Sequence, residues 1–188
     1  MTSNRLPAQK TSKRLITAIF YRYSCTLKAY HSLCESGYAN AEISIVMSLE
    51  TWQKLFLEVL DGLLDQKASK NGTTSPSDRP YDYEYPAGMK ALICTSSIMQ
   101  GLGIMLAGPI TQRNATFETD RAGLNISGAF KAWGLPASVS NQYEEELICG
   151  GIMIGTECRL NLHDEKIADQ WRACKGAHIH LHHGSDNA

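Results

Sequence analysis

The sequence predicts an all-α fold, a single-domain helical bundle of about five or six helices with a long central loop. Three observations lead to this prediction. Apolar side chains recur at the three- and four-residue spacing of a helix through the first third of the chain. An uncharged stretch containing glycine follows in the middle of the chain. No alternation of apolar and polar residues is long enough to indicate a strand.

Two N-terminal helices are predicted from apolar stripes with successive spacings of 4, 3, 4, 3 and 4 residues. The first stripe, in a helix that starts near Lys13 and stops at Gly37, consists of Ile16, Phe20, Tyr23, Leu27, Tyr30 and Cys34. The second stripe, in a helix over about 40–66, consists of Ile45, Leu49, Trp52, Phe56, Val59 and Leu63. The short link at 35–40 favours an antiparallel helical hairpin.

A long loop is predicted at 67–87, since its prolines and an Asn-Gly pair break any regular period. The third predicted helix runs over about 87–107. Residues 91–110 carry no charge, which is compatible with either a membrane span or a buried central helix. We favour the buried helix because the stretch also contains serine, threonine, glutamine and glycine.

Three further helices complete the predicted bundle. They are a short helix at about 127–134, a helix from Ser140 to about Cys158, and a final helix that Asn161 can cap and Gly176 ends. The predicted organisation is therefore a basic polar leader at 1–12, a helical domain at 13–176 and a frayed, histidine-rich tail at 177–188.

Composition indicates one globular domain from a reducing environment. Among 188 residues, 43% are apolar and 20% are charged, which is enough apolar material for a real core. The six cysteines form no C-x-x-C pair, and we recognise no secretory signal, so we expect free thiols. The predicted location is intracellular: cytoplasmic, or mitochondrial because an acid-free basic start resembles a transit peptide.

The charge is unevenly distributed along the chain. The first 34 residues carry six basic side chains and no acid, whereas the remainder carries 12 basic and 19 acidic ones. Basic groups interleaved with aromatic rings can neutralise phosphates and stack on bases. The sequence therefore predicts an anionic partner: single-stranded RNA or DNA is favoured, another subunit's acidic surface is an alternative, and an acidic membrane face is not expected. The candidate binding residues are Lys10, Lys13, Arg14, Arg22 and Lys28.

Other groups of reactive side chains are weighed against simpler interpretations. The tail contains His178, His180, His182 and His183; in an extended strand the first three would share a face and could bind a metal. A chain end is a poor frame for a structural metal, so we predict no metal and no cofactor. His163-Asp164-Glu165 could hold an acid–base pair, but acids there and at 144–146 are typical of helix starts, and Ser96-Ser97 is expected to bond helix carbonyls.

No nucleophile elbow, P-loop or dinucleotide fingerprint is present, and we therefore predict that the protein is not an enzyme.

One segment resembles a known family. Residues Leu92–Leu102 resemble part of the small helical subunit of type III CRISPR effector complexes, with Thr95, Gln100 and Leu102 matching and Ser96-Ser97 departing from that family's Asn-Gly. The Trp171-Arg172 pair is loosely similar to its last helix. The resemblance implies a non-catalytic subunit that repeats along an RNA-guided filament.

The function predicted from the sequence is that of a non-catalytic helical subunit in a larger, nucleic-acid-containing assembly. Its basic arm would contact phosphates, and its apolar helix faces would contact protein subunits, either copies of itself or other chains. The alternative is an accessory subunit of an organellar or membrane complex, in which the basic start would serve for targeting.

Overall fold

In the part of the chain that the structure describes, six β-strands form one antiparallel sheet, in the order β3-β4-β2-β5-β1-β6. The strands are β1 Arg14–Phe20, β2 Ile43–Ser48, β3 Ser97–Met99, β4 Ile104–Ala107, β5 Ile152–Cys158 and β6 Ala177–His183. The all-α prediction is therefore wrong, and the protein is an α/β protein. The computed structural model describes residues 14–57, 88–89, 93, 96–99, 103–111, 126–159 and 161–183.

Helices cover both faces of this sheet. They are α1 Tyr23–Glu35, α2 at 49–57, α3 Ile126–Trp133, α4 Ala137–Ile148 and α5 Asn161–Ala173. A 3-10 turn, Asn40–Glu42, precedes β2. Apolar residues of α1, α2 and α5 share one core with the sheet, and those of α3 and α4 form a second core on the opposite face.

The central strands explain why the sequence pattern was misinterpreted. In β1, all residues from Leu15 to Phe20 are buried, because alternate side chains enter the two different cores. A strand covered on both faces has a sequence that is continuously apolar, without alternation. Its periodicity alone then cannot distinguish it from a buried helix segment.

The two N-terminal stripes are each divided between a strand and a helix. Ile16 and Phe20 lie in β1, opposite Thr156 and Ile152 of β5, and only the later part of the first stripe lies in α1. Ile45 lies in β2, and the second stripe becomes helical only from Leu49. The predicted helical hairpin is therefore wrong.

The predicted third helix is wrong in its second part, because β3 and β4 occupy 97–99 and 104–107, whereas 88–89 and 93 in its first part are helical. Gly103, with a φ of 61°, lies at the turn before β4. The segment that resembles the CRISPR subunit contains β3, whereas the resemblance implies a helix; of that segment the structure describes 93 and 96–99.

The predicted helix from Ser140 to Cys158 is half correct, since α4 ends at Ile148 and β5 follows. Gly150 adopts a φ of 89°, and a Cβ on Gly151 would lie 2.7 Å from the Glu146 carbonyl oxygen. The two glycines permit the tight turn that ends the helix.

The short helix α3 and the final helix α5 are confirmed close to their predicted bounds. The frayed tail is wrong for 177–183, which form strand β6 beside β1. The predicted leader at 1–12 and loop at 67–87 lie outside the described residues, and the division into leader, domain and tail stays a prediction. Within the described part of the chain, no helix has the length and apolar character needed to cross a membrane.

Candidate nucleic-acid interface

Helices α1 and α5 lie side by side on one face of the sheet. Helix α1 connects β1 to β2, and α5 connects β5 to β6. Because β1 and β2 both run antiparallel to β5, α1 and α5 run antiparallel to each other. The buried indole N–H of Trp171 lies 3.3 Å from the Ala29 carbonyl oxygen and 3.0 Å from Ser32 Oγ. This contact joins the last turn of α5 to the central part of α1.

The outer sides of these two helices are basic. Five exposed cationic residues lie on or next to them: Arg22, Lys28, Lys166, Arg172 and Lys175. Three exposed acidic residues accompany them: Glu35, Glu165 and Asp169. Arg172 forms an ion pair with Asp169, one turn away on α5. We call the outer side of α1 and α5, with these eight residues, the basic face.

The structure separates the predicted binding residues. Arg22 and Lys28 belong to the basic face. Arg14 lies at the start of β1, where its guanidinium is 3.3 Å from the carboxylate of Asp164. Lys10 and Lys13 lie outside the described residues. The sequence had indicated one basic arm, whereas the described members divide between an exposed helix and an ion pair.

Sequence reasoning missed the α5 members of the basic face. Basic residues such as Arg172 and Lys175 are common in the last turn of a helix for electrostatic reasons alone. Their distance along the chain from α1 hides their proximity in the fold. The sequence feature that could have indicated them is the pair of basic residues near the end of the final helix, whose position was predicted correctly.

Asp164 is fully buried in the first turn of α5, between β1 and the end of β5. Burial, followed by hydrogen bonding to Asp164 and its negative charge, raises the pKa of Cys158 well above its ordinary value. This thiol stays protonated at neutral pH and is a poor nucleophile. Arg14, Cys158 and Asp164 therefore form an internal polar link.

Arg159, just after β5, is also held by its neighbours. Its guanidinium donates to Glu42 and lies 5.4 Å from the centre of the Tyr38 ring. Hydrogen bonds from Arg159 and from the Ala39 amide lower the pKa of Glu42. Sequence reasoning did not single out these residues.

Histidines of β6 contact α4 on the face of the sheet opposite α1 and α5. His178, with a φ of 49°, is bonded at both ring nitrogens. The amide nitrogen of Gln142 donates to Nδ1 at 2.7 Å, and Nε2 lies 2.8 Å from a Glu146 oxygen. Because both nitrogens are used within the protein, His178 has no free lone pair for a substrate or a metal.

Tyr143 is the centre of the same network. Its hydroxyl donates to the His178 carbonyl oxygen at 2.7 Å and lies 2.9 Å from Thr17 Oγ1. A tyrosine hydroxyl has one proton, so Thr17 must be the donor in that second bond. Nearby, Tyr21 donates to Glu146, and burial and this bond raise the pKa of Tyr21 to about 12.

His180 and His182 stack on each other, with ring centres 5.3 Å apart, and His180 lies 5.8 Å from the Tyr143 ring. Burial, then the neighbouring His178, lowers the pKa of His180. Among the described residues, no group of three or more histidine, cysteine or acidic side chains could hold a metal ion. The side chains of His163 and His183 lie outside the described set.

The remaining sequence candidates have structural contacts. Ser96 Oγ donates to the Ile93 carbonyl oxygen at 2.7 Å, as predicted for a back-bonding serine. The acids at 144–146 lie on α4 and not at its start, and Glu146 belongs to the His178 network. Glu144 and Glu145, set against Lys131 of α3, leave the outer side of these two helices with an excess of one negative charge.

Models of known protein families match no part of this chain, and neither curated proteins nor solved structures show a match.

Proposed function

We propose that this protein is a non-catalytic subunit of a nucleic-acid-containing assembly and contacts phosphates through its basic face. The observation that carries the proposal is the position of five exposed cationic residues on two adjoining antiparallel helices, with only three acids among them. Nucleic-acid backbones bind such surfaces by releasing condensed counterions.

The opposite helical layer supports an orientation for the bound strand. Glu144 and Glu145 of α4 outnumber Lys131 of α3 by one charge, so a phosphate chain is disfavoured on that side. The strand would therefore lie along α1 and α5 and away from α4. The basic leader at 1–12 would extend the same contact.

The apolar stripe of α1 packs within its own chain and is not available as a subunit contact.

The test is fluorescence anisotropy with labelled single-stranded RNA at low and moderate salt. A variant with Arg22→Gln, Lys28→Gln, Lys166→Gln and Lys175→Gln should bind more weakly. Its plot of log affinity against log salt should be flatter, by up to about 0.7 for each phosphate contact removed. The matched control carries Lys54→Gln and Lys131→Gln, which remove exposed lysines from α2 and α3.

The outcomes separate the possible sites. Weaker binding by the basic-face variant alone supports the proposal. Equal binding by the two variants and the wild type would place the contact elsewhere, and a Lys10→Gln, Lys13→Gln variant would then test the leader. Absence of binding by the folded wild type at low salt would overturn the proposal for the isolated chain.

A further inference from the structure

Two cysteines, Cys25 and Cys174, lie toward the same end of the α1–α5 contact. Cys25 precedes Ala29 by one helical turn, and Cys174 follows Trp171 by three residues. The Trp171 indole bonds the Ala29 carbonyl, and the two helices are antiparallel. Moving from Ala29 back to Cys25 and from Trp171 on to Cys174 therefore leads toward the same end of the helix pair. The two thiols therefore come to the same level on adjoining helices.

Their surroundings agree with this placement. Both cysteines are partly buried, both pack against the same core cluster, and both are free thiols. Burial raises the pKa of Cys174, the charge of Lys28 lowers it, and Cys25 raises it again, so the three groups are close enough to interact. The axes of packed helices lie about 8–10 Å apart and each Cα lies about 2.3 Å from its axis, so facing Cα atoms can come within the roughly 4.4–6.8 Å that a disulfide spans.

We propose that Cys25 and Cys174 are a redox-reversible pair that closes into an intramolecular disulfide when the protein meets a hydroperoxide. The bond would join the first turn of α1 to the end of α5, at the edge of the basic face beside Lys28. This inference does not rest on the proposed function, because it concerns the chemistry of the two thiols alone.

The reaction is balanced with hydrogen peroxide as the oxidant. The Cys25 thiolate attacks one peroxide oxygen, the O–O bond breaks, and Cys25 becomes a sulfenic acid while hydroxide leaves. The Cys174 sulfur then attacks the Cys25 sulfur, loses its proton and displaces water. Two thiols and one peroxide thus give one disulfide and two waters. The attack begins at Cys25 because burial disfavours the thiolate of Cys174.

The other described cysteines are placed differently. Cys34 interacts with Asn40 near the end of α1, and Cys158 with buried Asp164. Cys149 is exposed beyond α4, on the side of the sheet opposite Cys25. Cys149 is therefore the natural control, since it is accessible to peroxide but is not on the α1–α5 contact.

The experiment treats the full-length protein with hydrogen peroxide, blocks the remaining thiols, and identifies linked peptides by non-reducing mass spectrometry. We expect one Cys25–Cys174 cross-link, the loss of two titratable thiols, reversal by dithiothreitol, and a higher Tm for the oxidised monomer. Cys25→Ser and Cys174→Ser should each abolish the cross-link, whereas Cys149→Ser should leave it unchanged.

Three results would overturn the proposal: a cross-link from Cys25 to another cysteine, dimers linked through Cys149, or oxidation of Cys25 to the sulfinic acid without a disulfide. Circular dichroism of each serine variant shows whether it folds. Should one fail to fold, the wild-type peptide map still decides, since it requires no substitution.

Discussion

The two helical layers are held to the same sheet by different interactions. Each layer contains an edge-to-face aromatic pair with ring centres 5.9 Å apart: Phe20 with Trp171 on one side, and Phe130 with Tyr143 on the other. The first pair joins a helix directly to β1. The second joins two helices, and the polar atoms of Tyr143 make the connection to β1 and β6.

This difference affects what each layer can present to solvent. The outer residues of α1 and α5 carry exposed cations. In the α3–α4 layer, which also packs on an apolar core, Gln142, Tyr143 and Glu146 are used to hold β6. These three polar side chains are not available for a ligand, which is why we place the candidate interface on the other side.

The largest expected effect is loss of the apolar attachment. Trp171→Ala should lower the free energy of unfolding by about 3–5 kcal/mol, because a fully buried ring leaves a cavity between α1, α5 and β1. Urea unfolding followed by circular dichroism measures this. Trp171→Phe, which keeps a ring against Phe20, should cost less; an equal cost would assign the effect to the indole N–H instead.

A smaller effect is expected from the polar attachment. Tyr143→Phe keeps the ring but leaves the His178 carbonyl and the Thr17 hydroxyl without this partner, at a cost of about 1–3 kcal/mol. The matched control is Tyr21→Phe, whose hydroxyl is bonded to Glu146 at the surface. If the two variants unfold at the same urea concentration, Tyr143 does not hold β6 as described.

The smallest effect concerns pH and should be confined to the β6 side. The pKa of His180 is below the ordinary value of 6.5 in the folded state. The unfolded chain therefore binds the proton first as pH falls through 6.5, and stability present above this pH is lost below it. His180→Phe should flatten the curve of unfolding free energy against pH.

The control for this pH dependence is His31→Asn, which changes an exposed histidine on α1. It should keep the wild-type slope between pH 7 and pH 5. A wild-type slope in His180→Phe would assign the pH dependence to another group. Comparing slopes, and not absolute stabilities, allows for any general destabilisation by the phenylalanine.

Helices with one exposed side were predictable, and strands with two buried sides were not. In α5, Asp164, Arg172 and Gly176 provide start and stop signals, and the helix lies at its predicted position. In β1, Leu15 and Ile16 enter different cores, which removes the polar–apolar alternation that identifies a strand. The helical spacing of Ile16 and Phe20 was coincidental.

The candidate site shows the same limit. Arg22 and Lys28 were singled out from local charge, whereas Lys166 and Lys175 required α5 to be placed beside α1. Arg14 was grouped with the arm because the sequence cannot show that Asp164 lies beside it. We predicted that His178, His180 and His182 would share one face if the tail formed a strand. The sequence could not show that Tyr143 and Glu146 of α4 bond to His178 on that face.

The sequence by itself determined the well-capped helices, the uneven charge and the presence of enough apolar residues for a core. Tertiary structure alone decided that the apolar runs are strands, that two cores flank one sheet, and that α1 and α5 share a basic face. The physical reason is that capping and charge are local properties, whereas strand pairing depends on partners far along the chain: β1 pairs with β5 and β6, both near the other end.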